Sequence, residues 1–175
     1  MPWNIDPAHT LLEFSAKHMM FTTVRGRFQE FSGTINLNEE DITQSSVEGT
    51  VNVASITTGN NDRDNHLRSP DFFDVENYPT ISFKSTRIER ANGNRLKLAG
   101  DLTIKDVTRE VVFDVTYDGP HKDPWGNRRY AFSGDAALNR KDFGLTWNVP
   151  LEAGGWLVGD EIKLHIELQV VEQQG

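Results

Sequence analysis

Ile162-Lys163-Leu164-His165-Ile166-Glu167-Leu168-Gln169-Val170 alternates apolar and polar side chains without a break. A period of two places the five aliphatic residues on one face of a β-strand and the polar ones on the other. The same period recurs upstream. Leu12, Phe14 and Ala16 alternate with Glu13, Ser15 and Lys17, while Phe31, Gly33, Ile35 and Leu37 share one parity. Val47, Gly49, Val51 and Val53 follow, then Ile81 and Phe83, then Leu96, Leu98, Leu102 and Ile104 around Gly100. Val111, Phe113, Val115 and Tyr117 make a sixth run, and Tyr130, Phe132, Ala136 and Leu138 a seventh. Turn signals separate these runs at Asn38 to Asp41, Ala91-Asn92-Gly93-Asn94, Lys105-Asp106, Asp118-Gly119-Pro120, Gly154-Gly155 and Gly159-Asp160.

Eight such strands with short polar connections predict an all-β fold that either packs as a sandwich or closes into an eight-stranded antiparallel barrel, and closure would leave no exposed sheet edge. A strand of about ten residues, rising about 3.3 Å each, runs roughly 30 Å before tilt, which suits one narrow, elongated ligand. The inward parity then supplies candidate ligand contacts: Phe14, Phe28, Ile35, Val51, Phe83, Leu98, Leu102, Phe113, Phe132, Leu138, Leu164 and Ile166.

Two segments break the period. His18 to Thr23 reads as a short helical or irregular crossing, whose Met19 and Met20 are adaptable fillers suited to a flexible apolar tail and equally to a core. Thr57 to Pro79 is too long to lack structure of its own. Asn61 and Asp64 as a start and Pro70 as a stop predict a short helix near residues 62–69 capping one barrel mouth, with Phe72, Phe73 and Tyr78 as anchors.

The 175 residues read as one domain, 1–175. A formal net charge of −8 sets the overall field against a phosphate-tracking groove, so nucleic acid is not an expected partner. With no cysteine, disulfides, zinc–thiolate sites and thiol nucleophiles drop out. No run approaches the roughly 18 apolar residues of a membrane-spanning helix, so contact with membranes is expected to be transient exchange. The opening MPWNIDPAHTLLEF lacks a basic region followed by an apolar one, which predicts a cytoplasmic protein, or a periplasmic one if a leader was trimmed. His9, His18, His66, His121 and His165 are dispersed, and there is no nucleophile elbow or Gly-rich phosphate loop. The expectation is no metal, no cofactor and no catalytic residue.

Charge gathers beside aromatics twice, at Arg63, Asp64, His66 and Arg68, and at Arg140, Lys141 and Asp142 ahead of Phe143 and Trp147. Arg63 and Arg140 could grip a polar head group at a cavity mouth while Phe143 and Trp147 meet the first apolar atoms. They could equally form an ion-pair network that pins the cap to the barrel.

The chain resembles the YceI family of polyisoprenoid-binding, lipocalin-like barrel proteins over nearly its whole length. The resemblance rests on Trp3-Asn4-Ile5-Asp6-Pro7-Ala8-His9-Thr10, Val24-Arg25-Gly26-Arg27-Phe28, Arg63-Asp64-Asn65-His66-Leu67-Arg68-Ser69, Asp71-Phe72-Phe73-Asp74-Val75, Tyr78-Pro79-Thr80-Ile81-Ser82-Phe83 and Asn139-Arg140-Lys141-Asp142-Phe143-Gly144-Leu145. It implies a barrel that holds an amphiphilic isoprenoid, of polyprenyl or prenylated-quinone type, along its pore and forms a homodimer. Such a protein would carry, buffer or sequester the lipid without changing it. At about 0.8 kcal/mol per buried CH₂, a tail of some 40 carbons would gain on the order of 30 kcal/mol relative to water, above the practical ceiling of about 18–21 kcal/mol for noncovalent binding. The real competitor is a membrane, and head group and fit decide the balance. The alternatives are an enzyme acting on a lipid or quinone, and a stress-response barrel packed by its own side chains.

Overall fold

The computed structural model describes residues 3–149, 151 and 157–172. Its strands are β1 (Trp3–Ile5), β2 (Leu11–His18), β3 (Thr22–Phe28), β4 (Phe31–Asn36), β5 (Ser46–Asn52), β6 (Ile56–Thr57), β7 (Thr80–Asn92), β8 (Arg95–Ile104), β9 (Val107–Lys122), β10 (Arg128–Asn139) and β11 (Val158–Glu172), with one α-helix, α1 (Asn61–Arg68). Three interruptions reduce these eleven segments to eight staves. The 3₁₀ turn Pro7–His9 divides β1 from β2, Gln29-Glu30 divides β3 from β4, and the turn Val53–Ser55 divides β5 from β6. Every neighbouring pair is antiparallel, and the meander closes where β11 meets β2 (Leu164↔Phe14) and β1 (Val170↔Ile5). The result, among the described residues, is a closed eight-strand antiparallel barrel with one short helix.

The period-two residues point inward as the alternation requires, and most of them join an apolar cluster that includes Leu96, Leu102, Ile104, Val111, Phe113 and Val115. Gly100 serves this interior. A Cβ there would lie 2.3 Å from Cζ of Phe83, so the missing side chain makes room for the Phe83 ring. That ring in turn packs edge-on against Phe113 at 5.6 Å between centroids.

One barrel end is sealed by aromatics and charge. Trp3, Tyr130 and Val170 are buried together, with Trp3 edge-on to Tyr130 at 5.1 Å. Arg129 pairs with Asp6 and Asp123, both at 2.8 Å, while Arg128 pairs with Glu39 and Glu172 and lies over the Trp3 ring. Burial and a hydrogen bond donated to Glu39 push the Tyr130 hydroxyl up to about 12.

Three sequence expectations are corrected. His18 to Thr23 is not a crossing: His18 pairs with Thr22, and Met19, Met20 and Phe21 form the tip of the β2–β3 hairpin. Asp118-Gly119-Pro120 is not a turn but lies within β9, where Ala131 pairs with Asp118 and Arg129 with His121. The extra β9 residue is a bulge, which accommodates a proline that has no N–H to give a ladder. Gly159-Asp160 likewise belongs to an irregularity inside β11, between the pairs Val158↔His18 and Ile162↔Ala16. Gly154-Gly155 lies outside the described residues.

Candidate functional site

At the other end α1 folds over the mouth. Asn60 caps it by accepting from the Arg63 N–H at 3.1 Å, and the helix stops before Ser69 and Pro70. The helix has a mean hydropathy too low to sit by burial alone, so polar contacts hold it. Arg68 donates to the Ala54 and Ile56 carbonyls, each at 3.0 Å, and buried Asp64 accepts from the Thr58 N–H and hydroxyl. Phe72 and Phe73 anchor the following turn in the apolar cluster, whereas Tyr78 is half-buried outside it.

Beneath the helix lies an apolar cavity of about 440 Å³, within the range of roughly 300–1,000 Å³ usual for small-molecule sites. Phe14, Phe28, Ile35, Val51, Phe83, Leu98, Leu102, Phe113, Phe132, Leu138, Leu164 and Ile166 all line it, as do Trp147, Arg63 and Arg140. The lining extends from Trp147 and Phe72 under the cap to Ile5, Leu37 and Leu168 near the sealed end. A barrel packed by its own side chains would leave no such space.

Met19, Met20 and Phe143 do not line it. The two methionines sit on the hairpin tip, 46% and 60% exposed, and Phe143 is fully buried in the wall beneath the short 3₁₀ turn Arg140–Phe143. Sequence parity also missed residues. Ile88 lines the cavity because a register shift between Ser85 and Arg87 moves β7 from odd to even inward positions, and the signal was a lone large aliphatic residue between Phe83 and Leu96. His66 lines it too, edge-on to Trp147 at 4.5 Å and to Phe72 at 5.0 Å, with Nε2 2.8 Å from Asp71.

The two arginines differ. Arg140 is 2% exposed and donates to the carbonyls of Gly159, Leu145, Trp147 and Val158, with Asp160 at 3.6 Å. At the β11 irregularity Arg140 donates to the Gly159 carbonyl at 2.9 Å and shares the Val158 carbonyl with the Asn148 side-chain amide, which donates to it at 2.7 Å. Burial draws its pKa below the usual arginine value, against the pull of Asp160. The guanidinium thus braces the wall through backbone carbonyls while Arg140 also lines the cavity. Arg63 keeps more freedom: Nε donates to the Thr58 hydroxyl at 2.7 Å and Nη2 to the Thr58 carbonyl at 2.9 Å. Among the described residues no group of three or more His, Asp or Glu side chains could hold a metal ion.

Fold and cavity define the class: a closed, lipocalin-like antiparallel barrel enclosing an elongated apolar chamber with a helical cap. The chain belongs to the YceI-like family, whose domain model matches residues 3–170. It is 36% identical over 162 residues to a UPF0312 protein of Staphylococcus epidermidis, covering 92% of each chain. A UPF0312 protein of Pseudomonas aeruginosa is 39% identical over 137 residues, 78% of this chain and 71% of that one. Among solved structures, BcnA of Burkholderia cenocepacia superposes with a TM-score of 0.81 at 26% identity, covering 95% of this chain and 99% of that one. The Campylobacter jejuni YceI protein gives 0.77 at 30% identity over 90% of each. A polyisoprenoid binding domain from Saccharophagus degradans gives 0.69 at 14% identity, covering 97% of this chain and 98% of that one, a likeness of fold.

Proposed function

We propose that this barrel binds one amphiphilic isoprenoid lipid, with its tail along the interior and its head beneath α1, and carries or buffers it without chemistry. The observation that carries the reading is the cavity: about 440 Å³, elongated, and presenting a wall surface that is overwhelmingly apolar. Polar groups gather at the capped mouth, where Arg63 and His66 both face the chamber. An apolar tube with polar groups at one end matches an amphiphile in shape and polarity. The Saccharophagus domain of the same fold, named for polyisoprenoid binding, supports the choice of lipid class. A homodimer belongs to this proposal, and sedimentation of the purified protein tests it.

The test is partition of a radiolabelled polyprenyl alcohol between protein and phosphatidylcholine vesicles, with a saturated alcohol of equal length as competitor. Saturable uptake of one prenol per barrel, preferred over the saturated chain, is expected. No uptake, or a chemically altered lipid, would contradict it; the latter would point to an enzyme, for which His66, lining the cavity with Nε2 2.8 Å from the exposed Asp71, is the candidate acid–base group.

A further inference from the structure

Three consecutive large apolar residues stand on the tip of the β2–β3 hairpin: Met19 and Met20, half-exposed or more, and Phe21, 86% exposed. Isolated exposed apolar residues are ordinary, but a contiguous run on a protruding tip marks an interaction surface. Met19 and Met20 both occupy left-handed backbone, φ +53° and +65°, where asparagine or glycine is the usual occupant of such a turn. The turn therefore keeps two methionines where its backbone favours other residues.

The tip is also continuous with the cavity rim. The Met19 N–H donates to the Leu157 carbonyl at 2.7 Å, and the Leu157 N–H donates to Val149, itself 40% exposed. Leu157, His18 and Val24 all line the chamber. The last β10–β11 pair is Asn139↔Glu161, and beyond it, among the described residues, β11 is paired with β2 at Val158↔His18, so the hairpin overhangs the mouth. Charges on this side are mixed: Lys17 is bonded to Thr23, and Asp160 is paired with Lys141.

We propose that Met19, Met20 and Phe21 form a docking tip that inserts into the interfacial region of a lipid bilayer and delivers the cavity mouth to it. This rests on the isoprenoid reading above: a tail of that kind cannot cross water at a useful rate, so its chamber must open against the membrane that is its alternative solvent. Insertion is driven by apolar burial, with electrostatic attraction secondary, so it holds for zwitterionic lipid and changes little with salt.

The test uses the triple variant Met19→Asn, Met20→Asn and Phe21→Ser, which suits the left-handed turn while removing the apolar surface. Flotation with phosphatidylcholine vesicles is measured on protein without added ligand, beside thermal melts, sedimentation, and transfer of a fluorescent prenol between vesicles. Expected are a fall of roughly tenfold or more in vesicle association, slower transfer, and an undiminished melting temperature. Trp125→Gln, which removes an aromatic residue 80% exposed on the β9–β10 connection, should leave flotation unchanged. Undiminished flotation of the triple variant would overturn the proposal. So would a variant that floats normally but loses a dimer, which would assign the tip to a second copy. Failure of any prenol to bind, with flotation still lost in the variant, would count against the isoprenoid reading and leave the docking tip standing.

Discussion

Replacing Gly134 by leucine should close the chamber from its wall. Gly134 lies on β10 between inward-facing Phe132 and Ala136 and lines the cavity. A Cβ built there meets Cγ2 of Val115 at 3.4 Å and Cδ1 of Phe113 at 3.8 Å, ordinary van der Waals contacts, so the new side chain enters the cavity without displacing the wall. Leucine adds four carbons and excludes about as many carbons of a bound tail. At about 0.8 kcal/mol each, the loss is about 3 kcal/mol, or roughly two hundredfold in affinity. The fold should not suffer, because a side chain replaces glycine in a strand and packs on apolar neighbours. The assay is equilibrium binding of a fluorescent prenol together with urea unfolding. Unchanged affinity in a normally folded Gly134→Leu variant would refute the placement of the tail in this chamber.

Arg140→Ala should lower stability by several kcal/mol, on the order of 3–5, because buried carbonyls at the β11 irregularity and the 140–147 segment lose their donor; urea melts would show this, with prenol affinity of the folded fraction retained. Gly100→Ala should cost about 1–3 kcal/mol, since its methyl group would collide with the Phe83 ring. The sealed end should be acid-sensitive. Hydrogen bonds from Arg129 and then His9 hold Asp6 below the usual carboxylate range. Burial works to raise Glu39, but Arg128 and Tyr130 hold it low. Depressed carboxylates contribute stability that is present above their unfolded pKa, about 4, and lost as pH falls through the folded values. Arg129→Gln should flatten that acid loss in urea midpoints measured between neutral pH and pH 3. Tyr130 acts in the opposite sense, its contribution present below its unfolded pKa of about 10 and lost as pH rises to about 12.

The barrel was legible because one buried face forces strict alternation, as Ile162 to Val170 shows, and because the cap carries its own stop at Pro70. The inward side chains followed from the same parity. What escaped was every place where a ladder slips. The β7 register shift hid Ile88, and the β9 bulge made Gly119-Pro120 read as a turn. Met19 and Met20 read as interior fillers because thioether side chains adapt to irregular apolar space, whereas the tight turn after His18 throws them outward. Arg140 showed the limit of reading charge: only coordinates reveal that its donors go to backbone carbonyls beside an irregular strand.

The most direct test of the account is native mass spectrometry of the protein purified from its own source, followed by organic extraction of whatever dissociates. One isoprenoid lipid per barrel is expected, released chemically intact, and strongly depleted in the Gly134→Leu variant. A barrel that arrives empty, and stays empty when offered prenols, would contradict it.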